Sequence, residues 1–447
     1  MGEGHQGSWH QGRLTTVAMV SARSLNELTA TEIITAVRAG RATCEEVTRA
    51  CLDRIAEREK AVQAWQYINP EQAIAEARAR DRSDRAGALI GVPFSVKDII
   101  DTADMPTEYG SPIYAGHQPR ADASCVALSR KAGGVLLGKS VTTEFANFHP
   151  SRTRNPLDLS RTPGGSSSGS AAAVADRMVA LSIGSQTSGS TVRPAEFCGV
   201  FGYRPTYGDL RCVGIKESAG SLDTLGLIAR SIDDIALYRD VLLDVKPVPI
   251  AKEVSPPRVG LCRTHLWSLL EPSTQALFEE AAIRLSRSGA KVVDVNLPPD
   301  FELIPDAHRL ISGFEFSRNF AWEIEHHWEE ISTTLRNGRI KDGLECSFEQ
   351  YLEARDLAER CRQAIGPIIA PFDVVLTACS TGEAPVGHNT TGNAKLALIW
   401  TTMHVPAISI PVFRGPAGMP VGAYVVGKRN RDRDLFAFAH WIYRTLV

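Results

Sequence analysis

The chain has 447 residues, 43% hydrophobic and 22% charged, with a formal net charge of −2 at pH 7. That length allows a large buried core, and evenly mixed charge argues against a basic nucleic-acid face or an acidic interaction tail. No run approaches the roughly 18 apolar residues of a membrane helix, and the nine cysteines are scattered with no C-x-x-C pair, against a zinc ribbon or thioredoxin-type motif.

Residues 1–20, rich in Gly, His and Gln, have no apolar signal-peptide core and are expected to form a flexible extension, with Met19 an alternative start. The spacing over 24–59 predicts two amphipathic helices, the second carrying Val47, Cys51 and Ile55 on one face. An alanine-rich helix is expected over 70–83. From residue 91 short apolar runs alternate with helical segments. Strands are expected over 91–96, 135–138, 178–182 and 200–203, with a helix over 121–132. Further on come strands at 257–262 and 291–296 flanking a helix over 272–288, then a mostly helical 305–365. The chain closes with strands near 372–378, 406–412 and 421–427 and a helix over 431–445. This rhythm implies one α/β/α domain over 21–447, with a mixed, mostly parallel twisted sheet covered by helices on both faces. Isolated cysteines in such a domain are expected as small core residues, in keeping with a reducing, cytoplasmic setting.

The chemistry concentrates in two glycine-flanked serine loops. One is Pro163-Gly164-Gly165-Ser166-Ser167-Ser168-Gly169-Ser170, the other Thr187-Ser188-Gly189-Ser190-Thr191-Val192-Arg193-Pro194. Upstream, Lys97 ends the strand-like run Gly91-Val92-Pro93-Phe94-Ser95-Val96. Amide hydrolysis needs a nucleophile, a base, donors for the oxyanion and an acid for the leaving nitrogen. Ser190 suits the nucleophile, because the turn before it can aim successive backbone N–H groups at one carbonyl oxygen. Ser166 then suits a proton relay. Lys97 can serve as base only when neutral, and burial favours the neutral form. No metal or organic cofactor is required.

These residues resemble the amidase signature enzymes, which use a Ser–cis-Ser–Lys triad. The resemblance covers about residues 25–445, with its specific block at 91–205, and the two serines lie 24 positions apart as in that family. It implies Lys97 as base, Ser166 as the cis-serine after a cis Gly165–Ser166 peptide, and Ser190 as the acyl-forming nucleophile. Backbone N–H groups of Thr187, Ser188, Gly189 and Ser190 would line the oxyanion hole. Within the family the chain is most similar to a malonamidase-like branch of small-amide hydrolases, on Gln186 and the segments 101–108 and 320–327. Ser188 departs from the usual pair of glycines, so its side chain must point away from the hole or crowd it.

The resemblance implies a small-molecule amide as substrate, with no nucleic acid or membrane partner, and allows a homodimer. Arg193 is left between pairing with a substrate carboxylate and a structural role, and Ser185 between orienting Ser166 and touching substrate. Tyr109 is expected to contribute to the pocket. Small carboxamides, aryl amides and urea- or carbamate-type compounds all fit an acylatable serine. The rival readings are a glutamine-amidase subunit of a tRNA amidotransferase and a non-catalytic amidase-like binding domain. Phe314, Phe316, Phe320 and Trp322 are expected first as a packing face. Adjacent His326 and His327 point to different sides of a helix and are not expected to share a metal.

Overall fold

The computed structural model describes Met1 and residues 23–447, so all but the first residue of the extension expected over 1–20 lies outside the described residues. Eleven strands form one sheet: β1 Trp65–Ile68, β2 Pro93–Lys97, β3 Val135–Ser140, β4 Leu181–Gln186, β5 Phe201–Arg204, β6 Thr224–Ala229, β7 Arg258–Leu261, β8 Lys291–Asp294, β9 Val374–Thr377, β10 Ala407–Arg414 and β11 Pro420–Val426. Their order across the sheet is β1-β3-β2-β4-β6-β5-β10-β11-β9-β7-β8. Every residue of β2, β3, β4, β6, β9 and β11 is buried. Successive side chains of a strand point to opposite faces, so both faces of the sheet are covered. The edge strand β8, by contrast, has exposed ends.

The sheet is mixed, as expected, but not mostly parallel. Four of its ten pairings are parallel, namely β2 with β3 and β4, and β7 with β8 and β9. The other six are antiparallel. The parallel pairs β2–β3 and β7–β8 are joined through the helices Ser124–Lys131 and Pro272–Arg287. β10 and β11 are joined by residues 415–419 alone, a connection short enough only for antiparallel neighbours.

The first two long helices form as their sequence dictates. Thr29 and Thr43 each accept the backbone N–H of a glutamate three residues on, and Glu32 and Glu46 reach back to cap the same turns. The expected strand at 178–182 lies three residues later, as β4. Its carboxyl half, Gly184-Ser185-Gln186, is polar in sequence yet buried, because the Ser185 hydroxyl bonds Lys97 and the Gln186 amide holds the second serine loop. Strands β1 and β6 were not expected. Gly226 interrupts the apolar run of β6, and the packing explains it: a Cβ there would lie 2.0 Å from Thr191 Oγ1.

Candidate active site

Lys97 is the last residue of β2 and is fully buried. In the β2–β3 register Val96 pairs with Lys139 and Lys97 with Ser140. The two buried lysines of these strands therefore point to opposite faces. Lys139 turns to the carbonyl of Ile100, to Thr107 Oγ1 at 2.5 Å and to Asp98 at 3.7 Å. Lys97 turns to the serine loops. Its Nζ lies 2.6 Å from Ser166 Oγ and 2.9 Å from Ser185 Oγ. Burial pulls the Lys97 ammonium down to about 7, opposed only by the charge of Asp223.

The Gly165–Ser166 peptide is cis, and Ser166 is 2% exposed. Gly164 takes φ +84, and a Cβ on it would meet the Pro194 Cα at 3.0 Å. The helix Ser168–Ala175 follows at once and docks on the end of β3, where Gly169 N donates to Val141 O at 3.0 Å and Ser140 and Ser170 share a 2.7 Å bond. Ser190 is half-buried at the other loop, and its carbonyl accepts Ser167 N at 3.1 Å.

The turn from Thr187 to Ser190 leads from β4 into the short helix Val192–Phe197, and side chains hold it on every side. Gln186 Oε1 accepts the N–H groups of Thr191 and Val192 at 3.0 and 3.1 Å. Thr401 accepts from Gln186 Nε2 at 3.0 Å and donates to Ser188 O at 2.6 Å. Thr187 Oγ1 donates to Asp223 at 2.5 Å. His308 Nε2 donates to Thr187 O at 2.9 Å and lies 3.3 Å from Ser188 Oγ. Burial holds the His308 ring neutral, down at about 3. The Ser188 side chain thus points toward His308. Among the described residues, the backbone N–H groups of Thr187, Ser188, Gly189 and Ser190 make no hydrogen bond within the protein. Unpartnered donors along one turn are what an oxyanion hole requires.

A cleft opens onto this turn, lined among others by Phe148, Ser166, Thr187, Ser188, Ser190, Arg193 and Arg339. Arg193 Nη2 donates to Gly165 O at 2.7 Å and Thr391 Oγ1 at 3.3 Å, while its Nε and Nη1 have no partner. Arg339 bonds Asn147 Oδ1 at 3.2 Å and Ser312 Oγ, and its guanidinium lies 5.0 Å from the Phe148 ring centroid. Burial lowers both arginines to about 10, which leaves both charged near neutral pH.

The structure therefore brings Lys97, Ser166, Ser185, Ser190, Arg193 and the 187–189 turn together. It does not bring Tyr109: that hydroxyl donates to Asp101 at 2.9 Å, and the ring packs edge-on against Tyr114, away from the cavity. Ser185 bonds Lys97 rather than facing this cavity. Phe316 and Phe320 stack on each other in the core, as a packing face does. His326 bonds Trp322 O and His327 bonds Glu330, so they serve separate partners. Sequence reasoning missed Asp223, His308, Arg339 and Thr401. Arg339 follows Gly338 in a polar helical stretch, and nothing in its local pattern marks it as buried.

A family model described as Amidase matches residues 46–436. The chain belongs to the amidase family. A curated relative from Chloroflexus aggregans, a glutamyl-tRNA(Gln) amidotransferase subunit, is 32% identical over 458 residues, covering 90% of this chain and 93% of its own. Among solved structures, one described as an amidase superposes with a TM-score of 0.87 at 27% identity, over 94% of this chain and all of that one. The peptide amidase of Stenotrophomonas maltophilia superposes with a TM-score of 0.80 at 28% identity, over 94% and 97%. This amidase is accordingly a carbon–nitrogen bond hydrolase. Among the described residues, no helix is long and apolar enough to cross a membrane.

Proposed function

We propose that this amidase cleaves a small amide through an acyl-enzyme on Ser190. The observation that carries the reading is a fully buried lysine bonded to Ser166, a serine that lines one cleft with Ser190 beside a turn of unpartnered N–H groups. Neutral Lys97 takes the Ser166 proton while Ser166 takes that of Ser190. Ser190 Oγ bonds to the carbonyl carbon, and the carbonyl oxygen becomes negative among the N–H groups of residues 187–190. On collapse the C–N bond breaks, and the nitrogen leaves with the proton returned through Ser166. Water then repeats the sequence against the ester, releasing the acid and free Ser190.

Two charged guanidiniums border the cavity, one with two unused donors, which favours an acyl portion bearing a carboxylate. A malonamate-like amide meets this requirement, and so does glutamine. Glutamine is the second reading, favoured by the curated relative named for an amidotransferase.

Two measurements test the proposal. A fluorophosphonate should label Ser190, located by mass spectrometry, and a panel should compare ammonia release from malonamate, a neutral amide of equal size, and glutamine. The expected result is a kcat/KM for malonamate at least about tenfold above the neutral amide, from a charge-assisted pair of about 1.5–3 kcal/mol, with glutamine inert. Labelling elsewhere would overturn the nucleophile, and preference for the neutral amide would overturn the substrate class. Turnover of glutamine alone would favour the second reading.

A further inference from the structure

The oxyanion turn has a second cavity behind it. This space is lined among others by Ser185, Thr187, Cys212, Lys216, Glu217 and Asp223. Thr187 borders both cavities. Asp223 directly precedes β6, whose register sets Thr224 opposite Gln186 of β4, and so delivers the Asp223 carboxylate to Thr187. The carboxylate is fully used. Oδ1 accepts the Thr187 hydroxyl at 2.5 Å, and Oδ2 accepts the N–H groups of Ser218 at 2.7 Å and Ala219 at 2.9 Å. A carboxylate anchored to two backbone donors is a fixed post, and the hydroxyl it holds belongs to the first residue of the oxyanion turn. Asp223 lines this space together with Ser185, whose hydroxyl accepts from Lys97 Nζ at 2.9 Å.

We propose that Asp223 is a positioning residue with two effects: it aims the Thr187 end of the oxyanion turn, and it sets a negative charge beside Ser185, the partner of Lys97. This inference rests on the acyl-enzyme reading above. Burial raises the Asp223 carboxyl to about 6, so it is ionised near neutral pH, and its charge is the one that favours the protonated form of Lys97. The other charged and titratable groups facing Asp223 are Tyr207, Cys212, Lys216 and Glu217 on the connection before β6, and Arg339 from the helical segment beyond. Cys212 is pushed up to about 11, and Tyr207 is likewise raised, so both stay neutral. His308, which shares Thr187, is neutral as well.

The test is the second-order rate of fluorophosphonate labelling at Ser190 as a function of pH, which needs no knowledge of the natural substrate. In the wild type this rate rises with pH as Lys97 loses its proton. Asp223→Asn keeps the shape and removes the charge, and is expected to move the midpoint down by about half a pH unit or more. Thr187→Val keeps the charge and removes the hydroxyl, and is expected to slow labelling about tenfold at every pH with the midpoint unmoved. A midpoint unchanged in Asp223→Asn, or a Thr187→Val rate equal to wild type, would overturn the inference. Should a thermal melt show Asp223→Asn unfolded, Asp223→Glu takes its place, with the midpoint expected to stay and the rate to fall; a shifted midpoint there counts against it. A wild type that never labels at Ser190 defeats the acyl-enzyme reading and this inference together, whereas a labelled wild type with an unmoved Asp223→Asn midpoint defeats this inference alone.

Discussion

Ser190→Ala is expected to lower kcat by about 10⁴- to 10⁶-fold while leaving the fold intact. The loss is large because the covalent step has no substitute group: Ser166, the other hydroxyl in reach, is bonded to Lys97 and needed for proton transfer. The fold is spared because the structural work of residue 190 is done by its carbonyl, which accepts Ser167 N and survives in alanine. Ammonia release measured beside a thermal melt checks both halves. Activity within tenfold of wild type in a folded variant would remove Ser190 from the mechanism.

Lys97→Met is expected to lower kcat/KM by about 10²- to 10⁴-fold, the usual worth of a positioned base. It should also abolish the acid limb of the pH profile. In the proposed mechanism Lys97 works as the neutral amine, and burial draws it down to about 7, so wild-type kcat/KM should climb between pH 6 and 8 and then level off. Stability should move the other way. In the unfolded chain the lysine keeps its proton up to about 10.4, so below that pH the unfolded state binds more protons than the folded one, and wild-type stability rises with pH from about 7 to about 10. Methionine removes this burden. Its Tm should exceed that of wild type, with the largest gap at or below pH 7. A retained acid limb in the kinetics, or a Tm gap independent of pH, would contradict a buried, depressed lysine.

Much of this architecture was legible in the chain because buried strands read as short apolar runs, as at 135–138 and 406–412. The exceptions have physical causes. Four-residue β1 contains polar Gln66, and β6 is broken by Gly226, which reads as a turn although it answers a close approach by Thr191. The preponderance of antiparallel pairs was hidden because strand order is a property of the whole sheet. At the site, Lys97, Ser166 and Ser190 were legible because local glycine and serine patterns surround the two serines. Asp223, His308, Arg339 and Thr401 lie at positions that topology alone brings together, and a single buried aspartate or arginine carries no local signature. Tyr109, expected at the pocket, has its hydroxyl committed to Asp101, a side-chain contact that no local pattern displays.

His308 gives the molecule a constraint on how it can diversify. The proposed proton relay rests on β2, β4 and the loop after β3, whereas the pocket wall that Arg339 contributes belongs to the segment 304–345. A division of that kind would let the wall be rebuilt freely, were it not for one imidazole of the same segment gripping Thr187 and Ser188. Grafting a relative's segment here would therefore carry new selectivity at full speed only if the graft brought a residue able to take the histidine's hold.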